Sequence, residues 1–215
     1  MPLLLLFLLL QPLHHCVSAS AVTVTVTAAP SIPSREPSYS KRHVFTSAVL
    51  GTTNAYRREH NASELAWNAT LASFAASYLD GRAQQAGCAF EHSGGPYGEN
   101  IAIGYGNATA AVEAWGDERR VYDFADPGFD HATGHFTQLV WKATTTVGCE
   151  RVLCAGDRGW FVACEYWPRG NIQGRYGDEV QRQMSSGAER AAAGAAGWRA
   201  VVLTAVSMVL WLSWA

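Results

Sequence analysis

The chain has 215 residues, and its 16 Lys and Arg nearly balance its 18 Asp and Glu, leaving a formal net charge of −2. That length suits one domain with a real core, and the charge balance argues against nucleic acid or an acidic polymer as partner. Hydrophobic residues make up 48% of the chain, much of that at its two ends.

The first element is an apolar run, Leu3 to Leu10, followed by the small residues Ala19, Ser20 and Ala21. A short apolar stretch before small residues reads as a secretory signal peptide over residues 1–21. It is too short to span a bilayer. Residues 22–40 alternate Val and Thr and then carry Pro30, Pro33 and Pro37, the pattern of an extended linker. A folded domain is expected over residues 41–176.

Three helices are predicted in its first half. Phe45, Val49, Thr53, Tyr56 and His60 fall on one helical stripe. Asn68 can cap a second helix whose apolar face is Leu71, Phe74, Ala75, Tyr78 and Leu79. A third places Val112, Trp115 and Tyr122 on one side, with Glu118 a turn beyond Trp115. The second half changes period. Trp160, Val162, Cys164 and Tyr166 alternate with Phe161, Ala163 and Glu165, a strand, and Thr146 to Val152 is its expected partner across the turn residues 155–159. Helices with an antiparallel sheet give an α+β class.

With Cys16 in the signal segment, Cys88, Cys149, Cys154 and Cys164 remain. Four cysteines in a secreted chain imply two disulfides, with three pairings open. The spacings do not supply the C-x₂-C pairs of a zinc site. If Cys149 and Cys164 were joined, the bridge would cross-link the hairpin. Sequons begin at Asn61, Asn68 and Asn107. Asn61, beside His60, is expected to be buried and is the weakest acceptor of the three. Residues 177–199 read as an Ala/Gly-rich linker. The apolar tail 200–215, preceded by the spacer Glu189 to Arg199 and the small residues Ser185 to Ala188, has the pattern of a GPI-attachment signal with its acceptor near 185–187.

Four segments set polar groups among apolar ones: Arg58 to Asn61, Gly95 to Ile101, Trp115 to Glu118, and Gly134 to Trp141. A charge or imidazole flanked by Trp, Phe and Ile is costly to bury without a partner. The strings GHFTQLVW (Gly134 to Trp141) and FVACEYWPRGN (Phe161 to Asn171), with HN at 60–61 and GENI at 98–101, resemble the motifs of the CAP superfamily, the cysteine-rich secretory, antigen-five and pathogenesis-related proteins. The resemblance covers about residues 43–172. It implies an α-β-α sandwich with a central antiparallel sheet, and disulfides Cys88–Cys154 and Cys149–Cys164. It also implies a cleft tetrad of His60, Glu99, Glu118 and His135 able to hold a divalent metal such as zinc, whose donor chemistry such groups match. Two departures add negative charge: Glu165 where relatives usually carry Asn or Gln, and Glu64 where many carry Arg.

Between Glu118 and His135 runs Tyr122-Asp123-Phe124-Ala125-Asp126-Pro127-Gly128-Phe129. Pro then Gly favours a type II turn projecting the aromatics. The spacing resembles the sterol-binding loop of yeast pathogenesis-related relatives, with Tyr122, Phe124, Pro127 and Phe129 as its residues and Tyr122 the one expected in the core. The leading expectation is a secreted, GPI-anchored, non-enzymatic protein binding a sterol or fatty-acid-like ligand. A metal-dependent hydrolase and a surface module for a protein receptor are the alternatives. The chain lacks H-E-x-x-H and G-x-S-x-G, which weighs against catalysis.

Overall fold

The computed structural model describes residues 35–83 and 88–184. The signal segment, the first part of the linker, the GPI acceptor and the apolar tail lie outside the described residues. In chain order the elements are α1 (Pro37–Ser40), α2 (Arg42–Glu59), β1 (Ala66–Trp67), α3 (Ala69–Ala83), β2 (Gly98–Ile103), α4 (Ala108–Asp117), α5 (Gly134–Leu139), β3 (Thr146–Leu153), β4 (Trp160–Trp167) and α6 (Tyr176–Glu179).

The sheet runs β1-β3-β4-β2. The β2–β4 and β3–β4 pairs are antiparallel, as expected, while the short β1 pairs with β3 in parallel and makes the sheet mixed. Alternation along β4 sorts the core into two layers. Val162, Cys164 and Tyr166 join the cluster built with α2, α4 and α5. Phe161 and Ala163 join the cluster under α3, with Ala75, Leu79 and Ile101. Helices therefore cover both faces, the α-β-α arrangement the motifs implied. Gly148 lets α3 approach closely: a Cβ there would sit 2.3 Å from the Ala72 nitrogen and the Asn68 oxygen.

Local chemistry explains the helix ends. Asn68 Oδ1 accepts the Thr70 N–H at 2.9 Å and caps α3; Asn107 Oδ1 accepts the Ala110 N–H at 2.8 Å and caps α4. The third helix stops at Asp117, followed by a 3₁₀ turn over Glu118–Arg120. Tyr122 thus lies beyond the helix on which its spacing placed it, though it is buried as expected. Both disulfides join the expected partners, Cys88–Cys154 and Cys149–Cys164. Cys149 and Cys164 face each other across β3 and β4, so their bridge does cross-link the hairpin.

The domain reaches past both expected boundaries. Tyr39, assigned to the linker, is 1% exposed and packs in the core. Glu179 and Val180 are also buried, and the chain stays docked to Met184, whose N–H donates to the Glu59 carbonyl at 2.8 Å. Neither end shows this in its composition: Pro and Ser surround Tyr39, and polar and charged residues surround Val180 and Met184.

A buried cation that the sequence reading missed holds α2 to the sheet. Arg57 is fully buried. Its Nε donates to Ser63 O at 2.6 Å, and its terminal nitrogens donate to Leu139 O, Trp141 O and Thr144 O at 2.8 to 3.0 Å. Burial lowers its pKa to about 10, which still leaves it charged at neutral pH. Its charge is dispersed over four carbonyls rather than paired with one carboxylate.

Candidate functional site

The residues of the expected tetrad do not meet at one point. His60 caps the end of α2 and is fully buried. Its Nδ1–H donates to the Gln181 carbonyl at 2.7 Å, which fixes the tautomer. Its ring lies parallel to Phe124 at 6.2 Å and edge-on to Phe136 at 5.0 Å. Nε2 has no partner among the described residues. Burial, the dominant influence, holds the imidazole below its usual pKa. His60 therefore belongs to the seam between α2 and the C-terminal segment.

The histidine beside Glu99 is His92 instead, with Nδ1 at 2.6 Å from Glu99 Oε1. The Gly94-Gly95 turn folds the chain back so that the Ser93 N–H also donates to Glu99 at 2.9 Å. Burial works to raise the Glu99 pKa, but the bonds from His92 and Ser93 outweigh it and hold the carboxyl below its usual value. The His92 pKa rises because its ring is bonded to that carboxylate. The signal for this pair was the string HSGGPYGEN, in which glycines bring a histidine back onto a glutamate seven residues on.

Glu118 and His135, two members of the expected tetrad, form a second pair. Glu118 Oε1 lies 2.6 Å from His135 Nδ1, and Oε2 accepts the N–H groups of His135 and Phe136 at 3.0 Å each. The two carboxylates come from different elements, Glu99 from β2 and Glu118 from the 3₁₀ turn after α4. Alternation puts Glu99 with Ile101 on the α3 side, whereas Asn100, with Ala102 on the other side, donates to the His135 carbonyl at 3.0 Å. Among the described residues no three His, Cys, Asp or Glu side chains are grouped to hold one metal ion. The set His60, Glu99, Glu118 and His135 as it stands does not fit a four-ligand cation.

Glu165 faces Glu99 across the strands and Gly148 on its other side, and is fully buried. Neither of its oxygens meets a partner with full hydrogen-bond geometry among the described residues. Burial first, and the Glu99 charge second, push its pKa up to about 9. It is a neutral carboxylic acid at neutral pH, standing where the resemblance expects an amide. The other departure, Glu64, forms an exposed ion pair with Arg58 at 2.5 Å.

The aromatic loop departs from the expected turn. Gly128 does not take the positive φ that a type II turn requires. Two Asx turns shape the segment instead: Asp123 Oδ1 accepts the Ala125 N–H and Asp130 Oδ1 the Ala132 N–H, each at 2.7 Å. Tyr122 packs against Phe124 at 4.8 Å and Phe136 at 5.7 Å. Phe129 is 49% exposed. Phe124 is half-buried, with His60 against its ring and the Arg182 guanidinium 5.1 Å from its centroid.

A groove of about 460 Å³ opens between this loop and the C-terminal segment. Phe124, Pro127, Val180 and Met184 form its apolar wall; Asn61, Gly177, Gln181 and Arg182 complete it. Of the four loop residues singled out from the sequence, Phe124 and Pro127 line the groove and Tyr122 and Phe129 do not. The C-terminal wall was invisible to a reading that ended the domain at Tyr176. Asn61 is exposed at this groove, against the expectation of burial, because its positive φ of 53° turns it away from the core.

Residues 50–166 match the family described as CAP, the cysteine-rich secretory proteins, over more than half of the chain. Protein PRY2 of Saccharomyces cerevisiae is 42% identical over 137 residues, which are 63% of this chain and 41% of that protein. Secreted protein RBT4 of Candida albicans is 36% identical over 163 residues, 73% of this chain and 44% of that one. Pathogenesis-related protein PRMS of Zea mays is 42% identical over 145 residues, 64% of this chain and 84% of that protein. The chain thus spans less than half the length of the two yeast relatives.

Proposed function

The chain belongs to the CAP family of cysteine-rich secretory proteins, and from that premise we propose that it is an extracellular protein that binds a sterol or a similar small hydrophobic lipid without turning it over. The observation that carries the reading is the groove of about 460 Å³ with Phe124, Pro127, Val180 and Met184 on its wall. Its size falls in the range of small-molecule sites, which are mostly apolar with a few polar groups. The half-exposed Phe129 stands nearby on the same loop and offers further apolar contact.

Secretion rests on the segment 1–21 and on two disulfides, which persist in oxidising compartments. GPI attachment near 185–187 places the protein at a cell surface; phosphatidylinositol-specific phospholipase is expected to release it. A divalent cation such as zinc would be held at the His92–Glu99 pair or the Glu118–His135 pair, each supplying an imidazole and a carboxylate. His60→Ala is then expected to leave zinc affinity by calorimetry unchanged. Binding without catalysis is supported by the lack of the H-E-x-x-H and G-x-S-x-G patterns in the chain.

Competition with labelled cholesterol tests the lipid reading. Saturable binding that weakens in Phe124→Ala supports it; no binding, or binding indifferent to Phe124 and Phe129 substitutions, overturns it.

A further inference from the structure

The groove carries a cation on its wall and no acidic side chain. Its other polar residue of the same segment, Gln181, is already committed. The Gln181 carbonyl accepts His60 Nδ1–H, and its Nε2 donates to Gly177 O and Asp178 O at 3.2 and 3.1 Å. Arg182 is in a different state. Its guanidinium lies over the Phe124 ring, and no carboxylate among the described residues is within ion-pair distance of it. Stacking on an aromatic ring occupies one face of the guanidinium and leaves the in-plane N–H donors to be satisfied from elsewhere. The nearest loop acid in sequence, Asp123, accepts the Ala125 N–H at 2.7 Å and shapes its own turn.

We propose that the groove selects an amphiphile with an anionic head group, a carboxylate or a sulfate. Arg182 takes the head group while the apolar body lies against Phe124, Pro127, Val180 and Met184. Stacking on Phe124 gives the guanidinium a set position at the end of an apolar wall, so charge and body are recognised by adjoining groups. Such a fork matches a planar or tetrahedral oxyanion through two parallel donors, which an ammonium cannot reproduce. This inference rests on the lipid-binding reading and adds a head-group requirement to it, assigned to a residue beyond the expected end of the domain.

The test uses two probes that differ only in the head group, cholesterol and cholesterol sulfate, competing against labelled cholesterol below their aggregation thresholds. Wild-type protein is expected to prefer the sulfate by about fivefold at low salt, the order expected for a solvent-facing charged contact. The preference should shrink as salt is raised. Arg182→Ala is expected to bring the two probes to equal affinity, whatever its effect on their common affinity, and Arg182→Lys to keep only part of the preference. Because Arg182 is exposed, both variants should fold; unchanged thermal unfolding checks this. Equal affinity for the two probes, or a preference that survives in Arg182→Ala, overturns the inference and leaves lipid binding standing. Binding of neither probe overturns the lipid reading, and this inference with it.

Discussion

Two buried polar regions flank α2, and they differ in what holds them together. Around Arg57 four of the five N–H donors meet carbonyls, and nearby Gln138 donates to Thr144 Oγ1 at 3.3 Å while accepting the Gly170 N–H at 2.8 Å. One turn later, where His60 meets the loop and the C-terminal segment, His60 Nε2, Tyr122 Oη and Tyr176 Oη have no partner among the described residues. The first region holds the helix to the sheet through one dispersed charge. The second centres on the His60 imidazole, and Gln181, whose carbonyl accepts from it, lines the groove.

The contrast is sharpened first by removing the cation. Arg57→Ala strands four carbonyls and is expected to cost about 3–5 kcal/mol in chemical denaturation, as for a broken buried charge network. A loss under 1 kcal/mol would show that Arg57 is not the staple described. Arg57→Lys should recover little, because an ammonium cannot reach four carbonyls in the guanidinium plane.

Glu165→Gln acts in the opposite direction. Unfolded, the carboxyl ionises near its ordinary value; folded, burial and Glu99 keep it neutral up to about pH 9. The raised folded pKa means stability is lost as pH rises from about 4.5 towards 9. The amide cannot ionise, so the variant is expected to match wild type near pH 4 and exceed it by more than about 1 kcal/mol at pH 8. Identical pH profiles would contradict a neutral Glu165.

At the groove, Phe124→Ala is expected to weaken cholesterol binding about tenfold, the scale of one lost aromatic contact. Phe129→Ala, outside the groove wall, should do less. The smallest effect belongs to His92→Ala, whose partly exposed pair with Glu99 is worth at most about 1 kcal/mol. With His92 raised and Glu99 lowered, that increment is present between the two pKa values. It fades as pH falls through the Glu99 value or rises through the His92 value. A difference from wild type that persists at pH 10 would mean His92 acts through packing.

Much of the fold was legible because it is local. The stripe Phe45, Val49, Thr53 and the alternation Trp160 to Tyr166 became a buried helix face and the two faces of β4. Glu118 and His135 were singled out through the motifs, though not as a pair. What failed was convergence. His60 and His92 both stand beside polar motifs, and spacing alone cannot say which of them will reach Glu99. The short strings PSYS at α1 and YGDE at α6 carry too few apolar residues to announce that Tyr39 and Tyr176 anchor them. The C-terminal wall of the groove depends on contacts to Glu59, more than a hundred residues earlier, and no local pattern reports those.

The most direct test of the groove as the ligand site is photo-crosslinking with a diazirine-bearing cholesterol, read by peptide mass spectrometry. Adducts on Phe124 to Pro127 together with Val180 to Met184 are expected, and an excess of unlabelled cholesterol should suppress them. Competed adducts confined to the residues around His92 and Glu99, none of which lines the groove, would contradict the account.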